Sequence, residues 1–136
     1  MLNLYYKIWV DCIKRAREQP DKKNWQAYTM TSMTMAMAFN FVFSMTILER
    51  FVFRNYFYKI NLPFLPLRLN NILTYLVLFI LPCVVINYVL IFRNNRYEKL
   101  IKNYPYYNGK IFGIYFIISM MFPTVLLLGA IVFSRL

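Results

Sequence analysis

The chain has 136 residues, 60% of them hydrophobic and 20% aromatic, with only 15% charged; a soluble domain is usually about 45–50% apolar and about 25% charged. Lys and Arg number 16 against 5 Asp and Glu, for a net charge of +11, and there is no His. With no His and so few carboxylates, His-based metal sites and Ser–His or Cys–His catalysis are excluded, and with only 3 Gly there is no glycine-rich phosphate loop.

Residues 1–19 predict an amphipathic helix. Leu2, Tyr5, Trp9, Cys12 and Ala16 recur at spacings of three and four, while Lys7, Asp11, Lys14, Arg15 and Glu18 fall largely on the other side. Such a helix suits the membrane interface, with Tyr5 and Trp9 at headgroup depth, or the face of a partner protein. Asp11 and Glu18 read as members of a solvated face interleaved with cations. Pro20 ends the helix, and Asp21 or Asn24 can cap the next one. Lys22, Lys23 and Trp25 then mark a membrane boundary, with cations in water and the indole at the interface.

Residues 28–48 carry no charge and form the first predicted transmembrane helix, since about 20 apolar residues cross a roughly 30 Å hydrocarbon core. Ser32, Ala36, Asn40 and Ser44 recur every fourth residue as a small, polar stripe. Small residues let helix backbones approach and a polar amide seeks a partner in lipid, so this stripe is the predicted helix-packing seam. Residues 49–71 are predicted to be an outer loop. Its aromatic side chains, Phe57 and Phe64 among them, are expected to lie against lipid or another subunit. Pro63 and Pro66 break any long helix, and Arg54 and Lys59 argue against a further crossing.

The second predicted span is 72–92, with a possible kink at Pro82 and one strongly polar residue, Asn87. A basic inner loop, 93–110, contains a turn at 104–109. The third predicted span is 111–133, also free of charge. Counting residues from the membrane edge puts Thr124 level with Asn40. The same count separates Asn40 from Asn87 by roughly 10 Å, which argues against a direct pair. Cys12 and Cys83 are too far apart to suggest a disulfide.

These features predict an all-α membrane protein: an N-terminal interfacial amphipathic helix followed by three transmembrane helices, in a single integral domain over 1–136. The segments 1–19 and 93–110, with the connection at 22–23, hold eleven of the sixteen cations. The N-terminus is therefore expected in the cytoplasm and the C-terminus outside. Cations flanking apolar runs point to anionic lipid headgroups rather than nucleic acid. No early apolar segment resembles a cleavable signal peptide, and the Asn-, Lys-, Ile-, Tyr- and Phe-rich usage suggests the inner membrane of an AT-rich bacterium. The predicted spans contain no ionisable Asp, Glu, Lys, Arg or His, which argues against a proton relay or ion-coupled carrier. The expectation is a non-catalytic accessory or scaffold subunit, without cofactor, in contact with other integral membrane subunits. The alternative is a small self-associating pore or carrier with the stripe at its seam.

Overall fold

The computed structural model describes residues 1–20, 22–49, 52 and 62–135, and those residues are mostly helical, with no strand among them. Phe57 and most of the predicted aromatic loop lie outside the described residues. Helix α1 spans Leu2–Glu18 and gives way to an extended Gln19 (ψ 151°), the conformation that a following proline imposes. A 3₁₀ turn, Lys22–Asn24, leads into α2, Trp25–Leu48. Asn24 occupies the N-cap position of α2 but makes no side-chain cap bond.

The second long helix starts inside the predicted outer loop. Helix α3 runs Leu67–Tyr75, and Pro66 stands at its N-cap with φ −62°. From sequence Pro66 reads only as a helix breaker. A proline that ends one segment can equally open the next, because its φ already suits helix entry. Asn70 reinforces this start. Its side chain accepts from the Leu62 N–H and donates to the Leu62 and Leu65 carbonyls, each at 3.2 Å.

From α3 the chain continues through a π-helical stretch, Leu76–Ile80, then α4, Leu81–Asn87, then a second π stretch, Tyr88–Phe92. These wide turns have a visible consequence. The buried residues of this helix are Asn70, Thr74, Phe79, Cys83, Asn87 and Ile91, spaced by four or five. In a regular helix of 3.6 residues per turn that spacing would spiral away from the neighbouring helix. A π turn holds one more residue in its hydrogen-bonded ring and brings the stripe back into line. Pro82 sits just after the first π stretch and has no N–H to return to the preceding turn.

The chain then bends at Asn94 and Asn95, both left-handed with φ 56° and 53°, a conformation asparagine tolerates better than most residues. Helix α5, Arg96–Asn103, comes next, where only a loop was expected. The predicted turn at 104–109 is present, with Asn108 and Gly109 at positive φ, and α6 runs Lys110–Arg135.

Helix α2 is the hub and packs against α1, α4 and α6, while α1 also packs on α5 and α6. The core lies at the basic end, where Ile8, Trp9, Cys12, Ile13, Met33 and Ile91 form a buried cluster. Away from it the helices are apolar but little covered. Two stretches, Trp25–Leu48 and Leu67–Asn103, are long and apolar enough to cross a membrane, and only 22% of the apolar window of each is buried in the chain. A core helix of a soluble protein would be mostly covered. Here Phe39, Phe41, Leu76, Leu81, Ile117 and Phe122 all stand exposed. Helix α6 carries a shorter apolar stretch, Lys110–Leu126, among the described residues.

Candidate functional site

One cluster of polar groups lies at the basic end, where α1 packs on α2 and α6. Asp11 is fully buried there. Its Oδ1 accepts from the Tyr107 and Gly109 N–H groups at 2.9 and 3.0 Å, and its Oδ2 accepts from the Phe112 N–H at 3.1 Å. The first N–H groups of any helix lack partners within it, and they form its positive end. Asp11 supplies both the missing acceptors and the complementary charge, from a residue about a hundred positions away in the chain. The three donors also take the place of water around a buried carboxylate. This corrects the sequence reading of Asp11 as part of a solvated face. Gly109 completes the arrangement. Its φ of +75° strains any other residue, and an added Cβ would stand 3.0 Å from Arg15 Cγ.

The loop at 104–107 is stitched to α1 by hydroxyls. Tyr104 donates to Asn3 at 3.1 Å and Tyr106 to Glu18 at 2.5 Å, with the Lys14 ammonium over the Tyr106 ring. Burial, and then the Glu18 carboxylate, raise the Tyr106 hydroxyl above its ordinary pKa, so it stays a donor.

A second network lies deeper. Tyr5 donates to Asn87 Oδ1 at 2.6 Å, and Asn87 Nδ2 donates to Thr34 Oγ1 at 3.2 Å, tying α1, α4 and α2 together. Burial pushes the Tyr5 hydroxyl up to about 12, so it too remains protonated. Asn87 is wholly buried. Asn40 belongs to a separate pair and donates to Ser119 Oγ at 2.9 Å. Thr124, which residue counting places level with Asn40, bonds the Met120 carbonyl of its own helix instead. Counting from the membrane edge assumes helices that start at one level. Asn40 lies fifteen residues into α2 and Ser119 only nine into α6.

The predicted interface residues fall in different places. Trp9 is fully buried by the chain's own helices, edge-on to Phe92 at 5.7 Å and near Tyr5. This corrects its expected place against lipid or a partner. Periodicity identifies an apolar face but not what covers it. Tyr5 is half-buried in the network with Asn87. Trp25 is half-buried, packs on Tyr97 at 5.3 Å, and carries the Arg17 guanidinium 4.3 Å above its ring. Phe64 stands exposed in the turn before α3.

Within the stripe, Ala36 is fully buried, Asn40 and Ser32 are half-buried, and Ser44 is exposed with its hydroxyl on the Asn40 carbonyl. Ala36→Ile should therefore cost about 1–3 kcal/mol of stability by overpacking. Asn40→Leu should cost about 1 kcal/mol, the scale of an interhelical hydrogen bond in membranes. Thermal unfolding of the purified variants in detergent checks the order; an Ala36→Ile protein as stable as wild type would contradict it.

Chemically the junction is occupied with itself. The Asp11 oxygens are taken up by three N–H donors, and burial, with the Asp11 charge beside it, pushes the Cys12 thiol well above its ordinary range. Among the described residues no three His, Cys, Asp or Glu side chains gather as a metal ligand set. Sequence reasoning missed the Asp11 cap because its three donors are backbone N–H groups, which leave no mark in the sequence. Compared with protein-family models, curated proteins and solved structures, the chain matches none of them.

Proposed function

We propose that the chain is a non-catalytic accessory or scaffold subunit of a larger assembly in a bacterial inner membrane. In this reading it crosses the bilayer three times, along α2, along the helix from α3 through the second π stretch, and along α6. The N-terminus and the basic end lie in the cytoplasm. The observation that supports it is how the long helices divide their polar and apolar surface. Asn40 and Asn87 bond across helices within the chain, and the hydroxyls of Thr31, Ser44, Thr46 and Thr124 bond the carbonyl four residues back. Polar groups satisfied in this way suit hydrocarbon. The surface left outward is largely apolar, and it suits lipid tails and the helices of other subunits.

The test is purification of the full chain from membranes in a mild detergent, with the mass of the isolated species and the identity of co-purifying proteins determined by mass spectrometry. Stoichiometric recovery of other integral membrane proteins is expected. A free monomer contradicts the proposal. A homo-oligomer that conducts ions in liposomes would replace it with a self-associating pore.

A further inference from the structure

A cleft of about 410 Å³ opens between the start of α2 and the end of the second long helix, lined by Gln26, Met30, Tyr88, Phe92, Asn95 and Tyr97. Its walls change character along the helices. Gln26 is the second residue of α2, and Asn95 lies just past the second long helix, so two amides stand at the outer end. Met30 lies about one turn further into α2 and Tyr88 about one turn back from Phe92, so the inner end is formed by thioether and ring.

The outer end is also cationic. The Arg17 guanidinium lies 4.3 Å over Trp25 and 5.5 Å from the centre of the Tyr97 ring. Contact with both rings, which pack edge-on 5.3 Å apart, holds that charge beside a ring that lines the cleft. Arg93 and Arg96 flank Asn95 and are exposed. Among the described residues no carboxylate lies within ion-pair distance of Arg17, Arg93 or Arg96.

We propose that this cleft holds one anionic phospholipid, with its phosphate at the Arg17–Asn95 end and its glycerol and upper chain along Met30 and Tyr88. The inference rests on the membrane reading above. Charge complementarity selects an anionic head, and the apolar inner wall selects a molecule with a tail. A zwitterionic lipid satisfies only the second, and a water-soluble anion only the first.

The test uses the full chain in mild detergent, titrated with dioleoyl phosphatidylglycerol or dioleoyl phosphatidylcholine, with retained lipid counted by native mass spectrometry. One phosphatidylglycerol per chain should be retained in preference to phosphatidylcholine, and excess inorganic phosphate should not displace it. Ala27→Trp fills the cleft from an exposed wall position, and Arg17→Gln removes the stacked cation. Each should weaken retention about fivefold or more, the scale of one cation at a membrane surface. Lys102→Gln, an exposed charge outside the cleft, should leave retention unchanged. Equal retention of the two lipids, displacement by phosphate, or wild-type retention by Ala27→Trp would overturn the proposal. Alkaline carbonate extraction of membranes separates the two readings. A chain released by carbonate removes both, whereas a carbonate-resistant chain with no lipid preference removes only the cleft.

Discussion

Asp11→Ala should be among the most damaging single substitutions in this chain, at roughly 3–5 kcal/mol of folding stability. The Tyr107, Gly109 and Phe112 N–H groups all lose their acceptor together, and the positive end of α6 loses its facing charge. Asp11 is fully buried, so water cannot simply take its place. Asp11→Asn should be milder but still costly, at roughly 1–3 kcal/mol. Its remaining carbonyl oxygen can serve Tyr107 and Gly109, while its amide then points a donor at the Phe112 donor. Thermal unfolding in detergent, followed by helical circular dichroism, should rank wild type above Asp11→Asn above Asp11→Ala. If both variants melted with wild type, the carboxylate would not be holding α6.

Trp9→Ala should cost about 3–5 kcal/mol, the usual result of emptying a large aromatic site in a core. Trp9 has no exposed surface and is the largest side chain in the buried cluster that joins α1 to Met33 of α2 and Ile91. Cys12, one turn along the same helix, is equally buried, so its thiol reports on the same packing. It should be inert to a maleimide in the wild-type protein and react well below the wild-type melting temperature in Trp9→Ala. An indole held only at the lipid interface would behave differently. Its loss would weaken membrane association and leave Cys12 protected.

These two residues also show where the sequence could be read and where it could not. The long helices announce themselves through charge-free runs, and α1 through its three- and four-residue apolar spacing. Periodicity of this kind is a local property, and local properties survive without knowledge of the fold. What α1 packs against is not local. Trp9 looks like an interfacial anchor because amphipathic helices on membranes and on proteins share one pattern. Asp11 looks solvated because its partners are backbone groups, which have no signature in a sequence. Helix α5 is hidden by its composition. Arg96–Asn103 is mostly polar, and only Tyr97, Leu100 and Ile101 turn towards the core. The pairing of Asn40 with Ser119 depends on how far each helix has run when the two meet, which residue counting from a membrane edge does not supply.

The three-crossing topology is the claim on which the rest of the account stands, and thiol accessibility tests it most directly. Cys12 and Cys83 are both buried, so the native protein should give little background. A cysteine at Ser134 and another at Asn103 are introduced separately, and an impermeant maleimide is added to intact cells with a permeabilised outer barrier. Labelling is expected at 134, with none at 103 until the inner membrane is opened. Labelling at 103 but not at 134 would invert the orientation, and labelling of both or of neither in intact cells would contradict the three crossings.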